Sequence, residues 1–244
     1  MIHHHQDGPV LTLTLDRPER RNALDLDHCL QLAAAVRDAP AGGARVIVLT
    51  GAGPHFCAGA DLTGVEDGPF IGALHSALEA LATVEVPTIA AVHGAALGGG
   101  TQLAIACDLR VAAPDARFGI PAAKLGLMVD HWTVQRLALA AGFGPARAML
   151  VVAEEYDGEA AHRLGLVQRL GDLGAAQAWA AAIADLAPLT MAGHKLGLNL
   201  LEGSAGEGAA ADYQAAFRRA WASDDHRDAM AARAEKRPPR FEGH

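Results

Sequence analysis

Residues 90–122 read AAVHGAALGGGTQLAIACDLRVAAPDARFGIPA, an apolar stretch that runs into three consecutive glycines. The apolar residues 88–92 predict a buried strand, and the glycines predict the turn that starts a helix. The start of a helix presents unpaired backbone N–H groups that carry partial positive charge. The stretch therefore predicts a strand, turn and helix whose amides can approach a ligand closely.

A second glycine-rich turn follows a strand-like stretch at residues 48–62, VLTGAGPHFCAGADL. Two N–H groups, one from each turn, could polarise a single carbonyl oxygen, and one such donor is typically worth about 10²–10³ in rate. Many glycine-rich turns only reverse the chain. From these residues alone, two structural turns in an unrelated α/β fold are the alternative.

The surrounding sequence has the pattern of an α/β domain, in which strands and helices alternate. Residues 11–15, LTLTL, predict a half-buried strand, whereas residues 45–50, RVIVLT, predict a strand buried on both faces. Helical spacing of apolar residues marks 26–36, with Asp25 as a candidate N-cap, and 71–81. We therefore expect one large α/β unit through most of the chain.

Composition narrows the classes of function. The 244 residues are 51% hydrophobic with a formal net charge of −8, which suits a globular protein and argues against bulk nucleic-acid binding, because a phosphate backbone requires a basic surface. Residues 1–10 lack the features of a signal peptide, and no apolar run approaches the roughly 18 residues of a transmembrane span. Three cysteines without CxxC spacing favour neither a disulfide framework nor a zinc site. The sequence predicts a cytoplasmic protein without a bound metal, whose His3–His5 lie in a solvated terminus.

Both glycine segments closely resemble those of the enoyl-CoA hydratase/isomerase (crotonase) family. The matching motifs are FCAGADL at 56–62 and GAALGGGTQLAIACDLRVA at 94–112. Further similarity lies in DRPERRNAL at 16–24, GLVQRL at 165–170 and EKRPPRF at 235–241, so it covers nearly the whole chain. The sequence looks closest to mycobacterial and actinobacterial enoyl-CoA hydratase-like members that lack the two catalytic glutamates.

The resemblance implies a crotonase-like α/β fold, a spiral of ββα units, over residues 1–187. Residues 188–244, where strand signals end and alanine-rich segments predict helices, would form a C-terminal helical region for trimerisation. Residues 203–208 are predicted to be a loop within it. The expected assembly is a homotrimer or a dimer of trimers.

The resemblance also implies an acyl-CoA thioester as the ligand and no permanently bound cofactor. Ala58, Asp61 and Leu62 match positions that lie against the CoA adenine. Arg21 and Lys236 match basic positions that reach CoA, the latter often from a neighbouring subunit. For both residues, the alternative is that they are ordinary surface charges without a role in CoA binding.

The catalytic positions are only partly filled. By resemblance, the backbone N–H groups of Ala60 and Gly99 form an oxyanion hole. The two glutamate positions of the hydratases are occupied by Gln102 and Ala122. Glutamine cannot exchange a proton at neutral pH, and alanine carries no polar group. This pair therefore cannot activate a water molecule and protonate the α-carbon of the thioester, as two glutamates do.

Asp130 falls where dienoyl-CoA isomerases and some dehalogenating relatives place a catalytic aspartate. It could remove an α or γ proton, assisted by the adjacent His131, or it could only cap the helix that begins near His131. Trp132 is predicted to fill space and reshape the acyl pocket.

Three functions remain open. The first is a non-catalytic acyl-CoA-binding protein of lipid metabolism, and the second is an enoyl- or dienoyl-CoA isomerase that uses Asp130 as its base. The third is an enoyl-CoA hydratase with weak activity.

Overall fold

The computed structural model describes residues 1–61, 68–201 and 209–244. Leu62, a predicted CoA contact, and the predicted loop at 203–208 lie outside the described residues. The strands are β1 (Ile2–Asp7), β2 (Val10–Leu15), β3 (Val46–Gly51), β4 (Thr88–Val92), β5 (Ala95–Leu97), β6 (Leu109–Ala112), β7 (Arg117–Gly119), β8 (Glu155–Asp157) and β9 (Arg169–Leu170). The helices are α1 (Leu26–Asp38), α2 (Gly68–Thr83), α3 (Gly99–Ala106), α4 (His131–Ala141), α5 (Phe143–Val151), α6 (Gly158–Arg163), α7 (Leu173–Ala184), α8 (Pro188–Leu201), α9 (Ala209–Ala222) and α10 (Asp224–Glu235), with short 3-10 helices at Pro18–Arg20 and Pro121–Leu125.

The main sheet has six strands in the order β1-β2-β3-β4-β6-β9. All of its neighbouring pairs are parallel except β1 with β2. A second sheet has three strands in the order β5-β7-β8. The predicted α/β class is confirmed, and the parallel sheet requires the helical crossovers that the alternating sequence pattern indicated.

The predicted strands are present, but one prediction of burial is wrong. β3 and β4 are buried throughout, as expected. β2 was expected to be half-buried, yet Thr12 is only 5% exposed and its hydroxyl accepts a hydrogen bond from Gln177 Nε2 at 3.2 Å. Helix α7, which carries Gln177, packs on the second face of the sheet. Its alanine-rich sequence gave no sign of which strands it would cover.

The terminus before β2 is solvated, as expected, and it is also a strand of the main sheet. His3–His5 have exposed side chains but belong to β1, the edge strand of the main sheet. Helix α1 begins as predicted, because the Asp25 carboxylate accepts a hydrogen bond from the backbone N–H of His28 at 2.9 Å. Helix α2 contains the predicted segment 71–81.

The three cysteines are free and buried. Burial raises the pKa of the Cys57 thiol and of the Cys107 thiol to about 12. A thiol is a nucleophile only as its thiolate, so these groups act as small core residues.

Helix α8 begins at Pro188, the first residue of the predicted helical region. That region is joined to the core by Lys195, whose ammonium lies 2.7 Å from Asp108 Oδ2 and donates to two backbone carbonyls at the end of α2 and just beyond it. A division into two folding units stays a prediction. None of the helices in the described ranges is long and apolar enough to cross a bilayer.

Candidate active site

The two glycine-rich turns pack directly against each other beside the main sheet. Backbone hydrogen bonds join them, from Cys57 N to Ala95 O at 2.9 Å and from Leu97 N to Cys57 O at 3.0 Å. A Cβ atom added at Gly100 would lie 2.0 Å from the carbonyl oxygen of Cys57. Glycine at 100 is therefore required for the start of α3 to approach the first turn this closely.

The amides of Ala60 and Gly99 are neighbours in this contact. Ala60 forms an isolated parallel bridge with Leu24. In this bridge the backbone N–H of Leu24 donates to the carbonyl of Gly59, and the backbone N–H of Asp61 donates to the carbonyl of Leu24. The bridge therefore uses the residues on either side of Ala60, and the N–H of Ala60 itself points away from Leu24. Gly99 is the first residue of α3, where an N–H has no intrahelical acceptor. A Cβ added at Gly99 would lie 3.5 Å from the nitrogen of Ala60.

A cavity of about 340 Å³ opens beside these amides. Its wall includes Ala58, Ala60 and Gly99 on one side and Asp130, the residue before α4, on another. The remaining wall is mostly apolar and comes from α2 and the segment before α4: Phe70, Ile71, Leu74, Leu78, Ile120, Leu125, Leu127, Met128 and Val129. Such a mostly apolar lining with few polar groups is typical of a small-molecule site.

Gln102 lies in the cavity wall, and its amide is already engaged. Its Nε2 donates to the hydroxyl of Thr133 on α4 at 2.8 Å, and the side chain is 7% exposed. Ala122 lines the same cavity and is half-buried against the core. The two positions are thus both at the cavity, and neither presents a carboxylate.

Asp130 is a helix cap that also reaches the cavity, so its cap role is confirmed and its chemical role stays a prediction. Its Oδ1 accepts a hydrogen bond from the backbone N–H of Thr133 at 3.0 Å, which makes it the N-cap of α4. It also lines the cavity, where its Oδ2 lies 3.5 Å from Nδ1 of His75. Among the described residues of the wall, Asp130 is the single carboxylate.

Sequence reasoning missed His75. It lies within the helical pattern of α2 between Leu74 and Leu78, and nothing local distinguishes it from a surface residue. The predicted partner, His131, is exposed and is not among the described residues that line the cavity. The histidine that faces Asp130 is therefore His75.

Trp132 also lies outside the described lining of the cavity. It packs against the hydrophobic core, and the guanidinium carbon of Arg136 is 5.3 Å from its ring centroid. Any influence of Trp132 on the shape of the pocket therefore acts through its neighbours, and its predicted role in the acyl pocket stays a prediction.

The predicted CoA contacts are partly brought together. The backbone N–H of Ala58 donates to the carbonyl of Arg21 at 2.9 Å, and Asp61 Oδ2 lies 2.8 Å from Arg17 Nη1. Lys236 is the C-cap residue that follows α10. Its contact with CoA from a neighbouring subunit stays a prediction.

The variant Gly100→Ala tests the close contact of the two turns. We expect it to lower the free energy of unfolding by about 1–3 kcal/mol, because the new methyl group meets backbone that cannot rotate away. The measurement is chemical denaturation. Gly72→Ala in α2 is the control, since a Cβ there meets nothing within 4 Å and alanine favours helix. Equal stability of the two variants would contradict the tight packing.

Comparisons with known proteins place the whole chain among relatives of one kind. The family model described as enoyl-CoA hydratase/isomerase matches residues 5–244. "Probable enoyl-CoA hydratase echA6" of Mycobacterium tuberculosis is 47% identical over 247 residues, covering 100% of both chains. A peroxisomal Delta(3,5)-Delta(2,4)-dienoyl-CoA isomerase of Arabidopsis thaliana is 33% identical, covering 99% of this chain and 95% of the isomerase. A crystal structure of an enoyl-CoA hydratase/isomerase family protein from Hyphomonas neptunium superposes with a TM-score of 0.90 at 31% identity, covering 100% of this chain and 98% of that one.

Proposed function

Since this chain belongs to the enoyl-CoA hydratase/isomerase family and has its crotonase-like fold, we propose that it binds an acyl-CoA thioester without ordinary hydratase activity. Members of the family act on acyl-CoA substrates, which sets the chemistry of the ligand. The proposal concerns what the chain does with that ligand once it is bound.

The proposal rests on the residues that occupy the two positions where hydratases have glutamates. Gln102 is held by Thr133, and Ala122 presents only a methyl group to the cavity. Hydration of a conjugated thioester requires one group to activate water and one to deliver a proton, and each is worth about 10²–10⁴ in rate. Without both groups, water addition is expected to be negligible.

Binding of the thioester is supported by the parts that remain. The adjacent amides of Ala60 and Gly99 suit an oxyanion hole, in which two N–H groups donate to the thioester oxygen. The apolar wall from α2 and the segment before α4 suits an acyl chain. Arg21 and Ala58, joined by a backbone hydrogen bond, suit the CoA end of the ligand.

A second candidate is a double-bond isomerase, and the position of Asp130 favours it. The residue lines the cavity beside the two amides even though it also caps α4. A base at this point needs no activated water, because isomerisation only moves a proton along the acyl chain. The same binding site therefore serves either candidate.

We also infer a homotrimer or a dimer of trimers, formed through the C-terminal helices. Those helices leave large apolar side chains in contact with solvent in the isolated chain: Leu198, Leu201, Phe217, Trp221 and Met230. Exposed apolar side chains that together form a large patch are typical of an interface. Lys236 at the end of α10 would then approach the CoA of a neighbouring subunit.

Calorimetric titration with saturated acyl-CoAs of increasing length tests binding. We expect the affinity to rise about fourfold for each added methylene group until the cavity is filled, since burying a methylene contributes about 0.8 kcal/mol. Free CoA is the control and should bind more weakly than any of the thioesters. Failure to bind any chain length would remove the proposal.

A further inference from the structure

Among the described residues that line it, the cavity has one pair of titratable side chains, His75 of α2 and Asp130 before α4. The two are brought together only by the fold, and both remain partly exposed, at 55% and 41% of their side-chain surface. Their closest atoms, Nδ1 of His75 and Oδ2 of Asp130, lie 3.5 Å apart. Hydrogen bonds between catalytic groups are often this long before a ligand binds.

We propose that His75 is the catalytic base of this cavity and that Asp130 is its positioning residue. The proposal rests on the acyl-CoA binding proposed above and deepens the isomerase candidate, for which the sequence indicated Asp130 itself as the base. It assigns the proton transfer to a different residue and a different atom.

The contacts of Asp130 favour His75 as the base and Asp130 as the residue that positions it. Its Oδ1 accepts a hydrogen bond from the backbone N–H of Thr133, which orients the carboxylate, and its Oδ2 faces Nδ1 of His75 at 3.5 Å. A carboxylate opposite Nδ1 stabilises the tautomer that carries the proton there, which leaves Nε2 of His75 with a free lone pair. Nε2 is then the basic atom that the pair can direct toward a ligand in the cavity.

Among the residues that the structure describes, Asp130 is the one that lies within ion-pair distance of His75. Helix α3, which also packs against α2, contains no charged residue. Of the described helices that pack on α2, α1 contacts it through Arg37 and α8 through Lys195, and α2 itself carries Glu79. Arg37 donates to the Ser76 hydroxyl and Lys195 is bonded to Leu81 and Asp108, so neither is paired with the imidazole.

The proposed step is balanced within the ligand and the protein. Nε2 of His75 takes the proton from the α-carbon of the acyl thioester. The electron pair of that C–H bond forms a double bond to the carbonyl carbon, and the π electron pair of the carbonyl moves to the thioester oxygen. The resulting enolate is held by the N–H groups of Ala60 and Gly99. Return of the proton to the α-carbon regenerates the ligand, and with a 3-enoyl chain its return to the γ-carbon gives the 2-enoyl isomer.

The test is exchange of α-hydrogen for deuterium in dodecanoyl-CoA dissolved in D₂O with the protein, followed by mass spectrometry. We expect His75→Gln to slow exchange by about 10²–10⁴, the usual worth of a positioned base. Asp130→Asn should also slow it, with little change in the affinity for dodecanoyl-CoA. His4→Gln, on the exposed face of β1, is the matched control and should exchange at the wild-type rate.

The sizes of the two effects separate the two candidate bases. If His75 is the base, His75→Gln should slow exchange more than Asp130→Asn does, because the positioning residue only orients the imidazole. If Asp130 is the base, Asp130→Asn should have the larger effect. That larger effect of Asp130→Asn, or equal exchange in the wild type and His75→Gln, would overturn the assignment, as would loss of exchange in His131→Gln alone. Absence of dodecanoyl-CoA binding to the wild type would instead refute the proposed function.

Discussion

The double variant Gln102→Glu/Ala122→Glu is expected to hydrate crotonyl-CoA at least about 10²-fold faster than the wild type, since each positioned acid or base is worth about 10²–10⁴. Both positions line the cavity beside the amides of Ala60 and Gly99. A glutamate at 102 keeps the length of the glutamine and can accept a hydrogen bond from the Thr133 hydroxyl, which rotates freely. The measurement is the loss of conjugated thioester absorbance.

A matched variant separates the position of the second carboxylate from its charge. Gln102→Glu/Ala123→Glu introduces the same two groups, but residue 123 is exposed and is not among the described residues that line the cavity. We expect this variant to gain little. Equal rates for the two double variants, or a wild type as fast as either of them, would show that positions 102 and 122 do not limit hydration.

Asp108→Ala is expected to lower the free energy of unfolding by about 3–5 kcal/mol, because it leaves the buried ammonium of Lys195 without its counter-ion. Lys195 is 8% exposed, and its three protons are directed to Asp108 Oδ2, Leu81 O and Val86 O. Asp108 Oδ2 also accepts from the backbone N–H of Thr88 at 2.8 Å. The pair therefore joins α8, α2 and β4 at one point. The measurement is denaturant unfolding.

Two further variants give the prediction its controls. Asp108→Ala combined with Lys195→Met should be more stable than Asp108→Ala alone, because the unpaired buried charge has been removed. Glu159→Ala breaks the ion pair of Glu159 with Arg163, in which both side chains are more than half exposed. This variant should lower the free energy of unfolding by less than about 1 kcal/mol. A loss of under 1 kcal/mol for Asp108→Ala would mean that the pair does not hold the helical region to the core.

Much of the fold and the location of the site could be predicted from the sequence, because their signals are local. The glycine run places the start of α3, and the periodicity of residues 71–81 places α2. The caps at Asp25 and Asp130 follow from residue type and position at a helix start. The substituted glutamates, Gln102 and Ala122, are visible once the family motifs are aligned.

What the sequence could not show depends on contacts between distant segments. Thr12 is buried because α7 covers β2, which a period of two in β2 does not reveal. His75 faces Asp130 only because α2 passes the start of α4, whereas its sequence neighbourhood is that of an ordinary amphipathic helix. His131 was favoured because it is adjacent in sequence, but the first residue of α4 is exposed here. Adjacency along a chain and proximity in a cavity are different properties.

The hydrogen bond of Gln102 helps to fix the wall of the cavity. A glutamine tied to Thr133 joins α3 to α4 through a side-chain hydrogen bond, and Thr133 is in turn joined through its backbone to Asp130. These polar groups hold the wall on this side of the cavity in place, while His75 is the basic side chain among the described residues of the wall. This arrangement is consistent with a site that retains a thioester and moves at most a proton.

The most direct test of the central claim uses 2-dodecenoyl-CoA with the protein in excess. The protein concentration is set well above the dissociation constant measured by calorimetry, so that nearly all of the ligand is bound. The conjugated absorbance and the 3-hydroxyacyl product are followed over hours, with a two-glutamate hydratase run in parallel. We expect the bound thioester to keep its conjugated absorbance and to yield no hydroxyacyl product above the rate in buffer. Conversion of the bound ligand at the rate of the parallel hydratase would contradict the account.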